Sequence, residues 1–508
     1  MGILGKIGHD EPPTVTDYPG HHDISTIDAE KAEAGVLEDG VVHEHHVNTE
    51  AERAVVRKMD MRVVPLVSLL YLLSFLDRSN IGNAKIAGMS KDLDLVGNRY
   101  SWLLTIFYIS YILFEFQALM WKIVPPHIWA TVVVLAWGLI ATLQAATFSW
   151  AGEMACRFFL GMVEAGFGPG VPYLLSFFYL RHELGFRVGI FLAAAPLAST
   201  FAGALAYGIT SGHSKLANWR LLFLVEGLPS IVMASVTFFL LPDSPAQAKF
   251  LTDEEKLIAQ ARGVRQVGKG ARVGGIVWKD IVLALLDAKC WFTALMYFSC
   301  NVSFSSLPVF LPTILTDMGF NPIDSQGLTT PPYFIAFLVT IGSAYIADRT
   351  QQRGYTIMVL SCIGGIGYIL LAASPIVGVR YFGVFLAASG VFPCIANILP
   401  WVLNNQGSDT RRGTGIALLN AIGQCGPLLG TNVFPSMEGP RYVKGQAICA
   451  AFIFFNGFLA FCLRKLLVWE NKKLDQKHGS VAGRKMGAKS EESTEAEENY
   501  GPNYRFIL

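Results

Sequence analysis

Four charged residues interrupt stretches that are otherwise apolar enough to cross a bilayer: Asp77 and Arg78 in the first, Arg157 and Glu164 in the fourth. A charge at the bilayer centre costs roughly 3 kcal/mol on insertion scales, so such residues line cavities, pair with one another and carry function. Two acids and two bases facing one cavity suggest proton-coupled handling of an anion. Arg157 and Glu164 are seven residues apart, nearly two helical turns, which sets them on one face about 10 Å apart along the axis. A bridge that only ties helices together is the bland alternative for that pair. For Asp77 and Arg78 the alternative is a helix that ends in water, although the small residues Ile81-Gly82-Asn83-Ala84 that follow suit packing inside a bundle.

Neutral polar residues occur at similar depth. Asn301, Ser303 and Ser305 belong to the seventh stretch, Asn397, Asn404 and Asn405 to the tenth, and Asn420 and Gln424 to the eleventh. Asn420 and Gln424 are an i,i+4 pair on one helical face. Asn301, Asn420 and Gln424 are the residues expected to hydrogen-bond a substrate without setting its charge, the bland alternative for each being a helix–helix hydrogen bond. Glu115, beside Gln117, is a fifth intramembrane charge, and Tyr108, Tyr173, Tyr297 and Tyr333 are candidate wall residues. Glycine-rich phosphate loops, HExxH and GxSxG are missing, so nothing points to an ATP-driven pump, a metalloprotease or a serine hydrolase.

The elements that must position these side chains follow from composition. Of 508 residues, 52% are hydrophobic and 16% charged, against about 25% charged in an ordinary soluble domain. The apolar residues fall into about twelve blocks near the length that spans a ~30 Å hydrocarbon core. Six blocks cover 63–83, 101–121, 128–147, 151–178, 187–210 and 220–241; six more cover 289–315, 328–347, 355–374, 380–404, 413–434 and 446–468. The expected organisation is therefore a disordered N-tail over 1–58, a six-helix half over 59–241, a polar linker over 242–288, a second half over 289–470 and a disordered C-tail over 471–508. In the linker, Thr252 with Glu255 three residues on signals a helix start. Lys and Arg concentrate in the loops that share a side with both tails and the linker, which puts those in the cytoplasm.

With a net charge of +1, nucleic acid is not expected as a partner. The eight cysteines form no CxxC pair, so no metal site is expected, and the His21-His22 and His43–His46 clusters read as part of a solvated tail.

Longer motifs carry a family resemblance. Phe75-Leu-Asp77-Arg78-Ser-Asn80, Arg157-Phe-Phe-Leu-Gly161-Met-Val-Glu164, Trp219-Arg220 through Glu226-Gly227, Leu241-Pro-Asp-Ser-Pro245, Asp348-Arg349 with Arg353, and Asn405-Gln-Gly407 together resemble the major facilitator superfamily. Within it they are similar to the anion:cation symporters, particularly the fungal allantoate/nicotinate permease-like branch. The resemblance implies an all-α membrane protein with the twelve-helix major facilitator fold, both termini cytoplasmic, and alternating access without cofactors, driven by the proton gradient. It implies proton sites at Asp77 and Glu164, anion sites at Arg78 and Arg157, and a cytoplasmic latch at Asp348, Arg349 and Arg353. The substrate would be a small carboxylate such as nicotinate or allantoate, imported with protons by a monomer, at the plasma membrane by family default or at the vacuolar membrane. An exporter of a metabolite or drug, and a nutrient-sensing receptor, are the alternatives. After Glu115 the chain departs from the branch, reading Phe116-Gln117-Ala118-Leu119, so the latch of the first half is expected to be degraded.

Overall fold

The computed structural model describes residues 49–212, 214–267, 278–406, 409–478 and 505–508. The expected N-tail up to residue 48 with its histidine clusters, most of the basic linker patch and the C-tail over 479–504 lie outside the described residues, whereas 49–58 and 471–478, expected as disordered tail, are helical because each continues a membrane-spanning helix. Among the described residues the regular structure is entirely helical.

The first half comprises α1 (Thr49–Ser79), α2 (Arg99–Phe114), α3 (Pro126–Gln144), α4 (Trp150–Glu164), α5 (Gly170–Phe178), α6 (Arg181–Ser211) and α7 (Asn218–Leu240). The linker forms α8 (Asp253–Val267) and α9 (Trp278–Leu286). The second half comprises α10 (Ala288–Asp317), α11 (Pro322–Thr350), α12 (Arg353–Ala373), α13 (Val377–Asn404), α14 (Asp409–Gly423), α15 (Gly426–Gly430) and α16 (Val443–His478). Local chemistry starts many of them. Ser149 accepts from Gly152 N ahead of α4, Asp287 from Lys289 N ahead of α10, and Asn321 from Asp324 N ahead of Pro322. Thr252 and Glu255 form the expected reciprocal cap of α8, at 3.4 and 3.0 Å.

Ten of these helices are long and apolar enough to cross a membrane. The fourth and eleventh spans, expected as continuous helices, are each broken into two pieces, α4–α5 and α14–α15. The first break falls at Ala165–Pro169, where Gly166, Gly168 and Pro169 weaken the helical ladder. The freed Gly166 carbonyl is taken by two indoles, Trp121 Nε1 at 2.7 Å and Trp129 Nε1 at 3.3 Å. At the second break, Asn301 Nδ2 donates to Gly423 O at 3.0 Å, and Pro427 opens α15. Exposed Leu113, Val132, Phe159, Phe239, Ile366 and Phe458 stud the outside of the bundle, as a lipid-facing surface requires.

The halves meet at both ends of the bundle. At the end away from the linker, Tyr100 Oη–H donates to Val309 O at 2.9 Å, Thr105 and Thr431 lie 2.9 Å apart, and Lys85 reaches Thr313 at 3.3 Å. A Cβ on Gly82 would meet the Val309 carbonyl at 2.7 Å, so glycine is what permits this approach. At the linker end, Arg353 pairs with Asp348, and both press on Gly185 of α6. Arg349 instead meets Tyr345 Oη at 3.0 Å on the surface. The first half has its own ties there: Arg187 to Asp60 at 2.7 Å and Arg262 of α8 to Glu183 at 2.6 Å.

Candidate transport site

A cavity with about 560 Å³ of empty space, its open mouth included, lies between the halves. Its wall is aromatic and polar. Tyr71, Arg78 and Tyr108 come from the first half, and Tyr297, Asn301, Phe304, Ser305, Asn420 and Gln424 from the second. Both helix breaks border it, through Gly168 and Pro169 on one side and Gln424 and Pro427 on the other. Asn420 and Gln424 share this wall as their spacing predicts, and Gln424 N bonds to Asn420 O at 2.8 Å. Asn301 serves both the wall and the Gly423 carbonyl.

Arg78 is the charged residue of the wall. Its Nη2 and Nε approach Glu164 Oε2 at 2.8 and 3.1 Å, and Ser74 Oγ–H donates to the same oxygen at 3.1 Å. The other oxygen of Glu164 has no hydrogen-bond partner among the described residues. The guanidinium also stands over Phe107 at 5.0 Å and Tyr111 at 5.1 Å, so aromatic rings flank it. The i,i+7 spacing on α4 does not produce an Arg157–Glu164 bond. Glu164 crosses to α1, while Arg157 Nη2 donates to Arg78 O at 3.2 Å and packs against Phe107 at 5.2 Å. Arg157, Glu164 and Asp77 are buried and stand outside the cavity lining. Asp77 turns to α7, where Ser230 Oγ–H donates to its Oδ2 at 2.9 Å.

Glycines set this geometry. A Cβ at Gly161 would strike the Phe107 carbonyl and Ser110 Oγ, so α4 and α2 approach closely beside Arg157. Of the tyrosines expected in the wall, Tyr108 and Tyr297 line it, whereas Tyr333 borders a second, smaller space and Tyr173 neither. Glu115 heads a short 3-10 turn after α2, away from the wall. The sequence reading passed over Tyr71, Tyr111 and Phe304 as wall residues; the only signal for them was aromatics recurring on the helices that carry the charges.

Ten membrane-length helices among the described residues, with one polar cavity lined from both halves, form the architecture of a membrane carrier. Residues 67–431 match the Major Facilitator Superfamily, and the chain belongs to that family. It is 34% identical to the MFS transporter prlL of Fungal sp. (strain NRRL 50135), over 92% of this chain and 98% of that one. It is 32% identical to the high-affinity nicotinic acid transporter of Saccharomyces cerevisiae, over 86% of this chain and 81% of that one. A bacterial homologue of the human lysosomal transporter Spinster, solved inward-facing and unoccupied, shares the fold with a TM-score of 0.61 at 14% identity, over 83% of this chain and 98% of that one.

Proposed function

We propose that this secondary transporter imports a small carboxylate together with protons, by alternating access. The observation that carries the reading is a guanidinium in the cavity wall held by a buried carboxylate, Arg78 with Glu164 at 2.8 Å. Glu164 and an incoming carboxylate are rivals for the same fork. Protonating Glu164 weakens its hold on Arg78 and leaves the cation for the substrate. After substrate and proton leave, the internal pair re-forms and the empty carrier returns, as carriers that rock around a midplane site require. Asn301, Asn420 and Gln424 offer neutral hydrogen bonds to the rest of the substrate, and the surrounding tyrosine rings suit a planar one. Arg157, bound to the carbonyl of Arg78, sustains the positive field behind the wall.

The nicotinic acid transporter among the relatives supports a vitamin-like acid as substrate class. The Lys/Arg distribution supports both chain ends and the linker in the cytoplasm, at the plasma membrane, with the Asp348–Arg353 pair acting as the latch of that face and the monomer as the working unit. The test is uptake of labelled nicotinate, allantoate and pantothenate at pH 5 and pH 7 in permease-deficient cells, comparing the native chain with Arg78→Ala. Acid-stimulated uptake of one compound, lost in the variant, is the expected result. No uptake, with the protein at the cell surface, overturns it in favour of export or sensing.

A further inference from the structure

Behind the cavity wall, α1 and α7 bury a second acid that the scheme above leaves without a task. Glu226 is 1% exposed, and neither of its carboxyl oxygens has a hydrogen-bond partner among the described residues. It lies one helical turn before Ser230, about 6 Å along α7, and Ser230 donates to Asp77 at 2.9 Å.

Among the described residues no cation pairs with Glu226. On α1, Arg78 is turned to Glu164; on α4, Glu153 takes the Thr147 hydroxyl and Arg157 donates to the Arg78 carbonyl. Past α1, Lys85 points to Thr313 and the Tyr100 ring, and Asp92 accepts from the Trp219 indole. On α7 itself, Arg220 donates to Ala145 O. The charged residues of α6 stand near its linker end, and α3 carries no Asp, Glu, Lys or Arg along its length, its polar end residue Gln144 being buried with no partner for either amide atom among the described residues. A carboxylate stripped of water and given no donor costs several kcal/mol. Two carboxyl groups that share a site escape part of that cost by keeping one proton between them.

We propose that Asp77 and Glu226 form a shared proton site, separate from the substrate cavity, that stores a coupling proton. Loading forms one O–H bond at the pair and leaves it with a single negative charge. Unloading breaks that bond, passes the proton to water at the open end and puts a second negative charge on the residue adjoining Arg78. That charge competes for the guanidinium field, so anion affinity falls as the pair unloads. The substrate and this proton then share an electrostatic link and no contact. The inference rests on the proton-coupled reading above.

Infrared difference spectra of the purified protein in vesicles, without substrate, test the pair directly. At pH 7 the native chain should show a buried carboxylic-acid band that Glu226→Gln removes; an unchanged band overturns the proposal. Transport supplies the second readout, using nicotinate as the probe and the pH gradient that exactly balances a set nicotinate gradient. Glu226→Gln should move one proton fewer per nicotinate than the native chain. The native ratio in that variant defeats this inference alone, whereas nicotinate flux without proton flux in the native chain defeats the symport reading and leaves the infrared band as the test of the pair. Should Glu226→Gln fail to fold, Ser230→Ala keeps both acids and removes the hydroxyl that donates to Asp77: the acid band should shift, and an unshifted band overturns the proposal.

Discussion

Replacing Glu164 by Gln separates the driving force from the translocation pathway. Glu164 takes three hydrogen bonds on one oxygen, from Arg78 at 2.8 and 3.1 Å and from Ser74 at 3.1 Å. Glutamine keeps an acceptor at that position and nearly the same volume, so the local packing survives while the charge and the titration are lost. Removing one partner of a buried ion pair costs about 3–5 kcal/mol. Here the loss falls at or below the lower end, because Arg78 borders the cavity and keeps contact with water or substrate. Each coupled proton contributes about 1.36 kcal/mol per pH unit, so a two-unit gradient sustains roughly a hundredfold accumulation per proton. In proteoliposomes at pH 5 outside and pH 7 inside, Glu164→Gln should lower steady-state nicotinate accumulation by about two orders of magnitude. Counterflow at equal pH should persist, since it needs the cavity and Arg78 but no net proton movement. Native accumulation in Glu164→Gln would refute the competition between Glu164 and substrate for Arg78.

Other residues give sharper or simpler tests. Arg157→Lys should abolish uptake while the protein still reaches the membrane, because a lysine cannot keep both the bond to the Arg78 carbonyl and the guanidinium's place over Phe107; rescued uptake would count against a role for the planar group. Gly82→Ala places a methyl within 3 Å of the Val309 backbone, so it should open the end away from the linker and raise labelling of a cysteine introduced beside Tyr100, with unchanged labelling as the contrary result. Asp60→Asn weakens a half-exposed tie to Arg187 worth about 1 kcal/mol, and should raise cysteine labelling at the linker end up to about fivefold. Asn405→Ala removes both side-chain bonds to the Ile507 backbone, 2.8 and 2.9 Å. At about 1 kcal/mol each, their loss should make the Arg505–Leu508 segment measurably more sensitive to protease without altering substrate affinity.

The span pattern and the breaks differ in how far sequence reveals them. Apolar length announces a helix because the bilayer leaves the backbone no other partner, and the twelve spans follow from that alone. It does not say where a helix may be interrupted. The interruption after Glu164 needs Gly166 and Pro169, which are visible, and also Trp121 and Trp129 arriving from other elements to satisfy the freed carbonyl, which are not. The same holds at Gly423, where Asn301 supplies the missing donor. A glycine-proline pair therefore reads as close packing until the distant donor is known.

Charges show the same division more strongly. Their cost in lipid picks out Asp77, Arg78, Arg157 and Glu164 at once, yet pairing depends on the rotation of each helix about its own axis. Spacing along α4 aligns Arg157 with Glu164, but the close α2–α4 approach at Gly161 and the position of α1 give Glu164 to Arg78 instead. Glu226 lay in plain sight within a family motif and attracted no role, because its spacing names no partner for it. Only its burial, and the serine one turn on that reaches Asp77, turn it into a group that must hold a proton or find one. Sequence thus reveals which side chains lipid cannot tolerate, while their partners, and through them their chemistry, are decided by helix rotation and by glycines that set how near two backbones come.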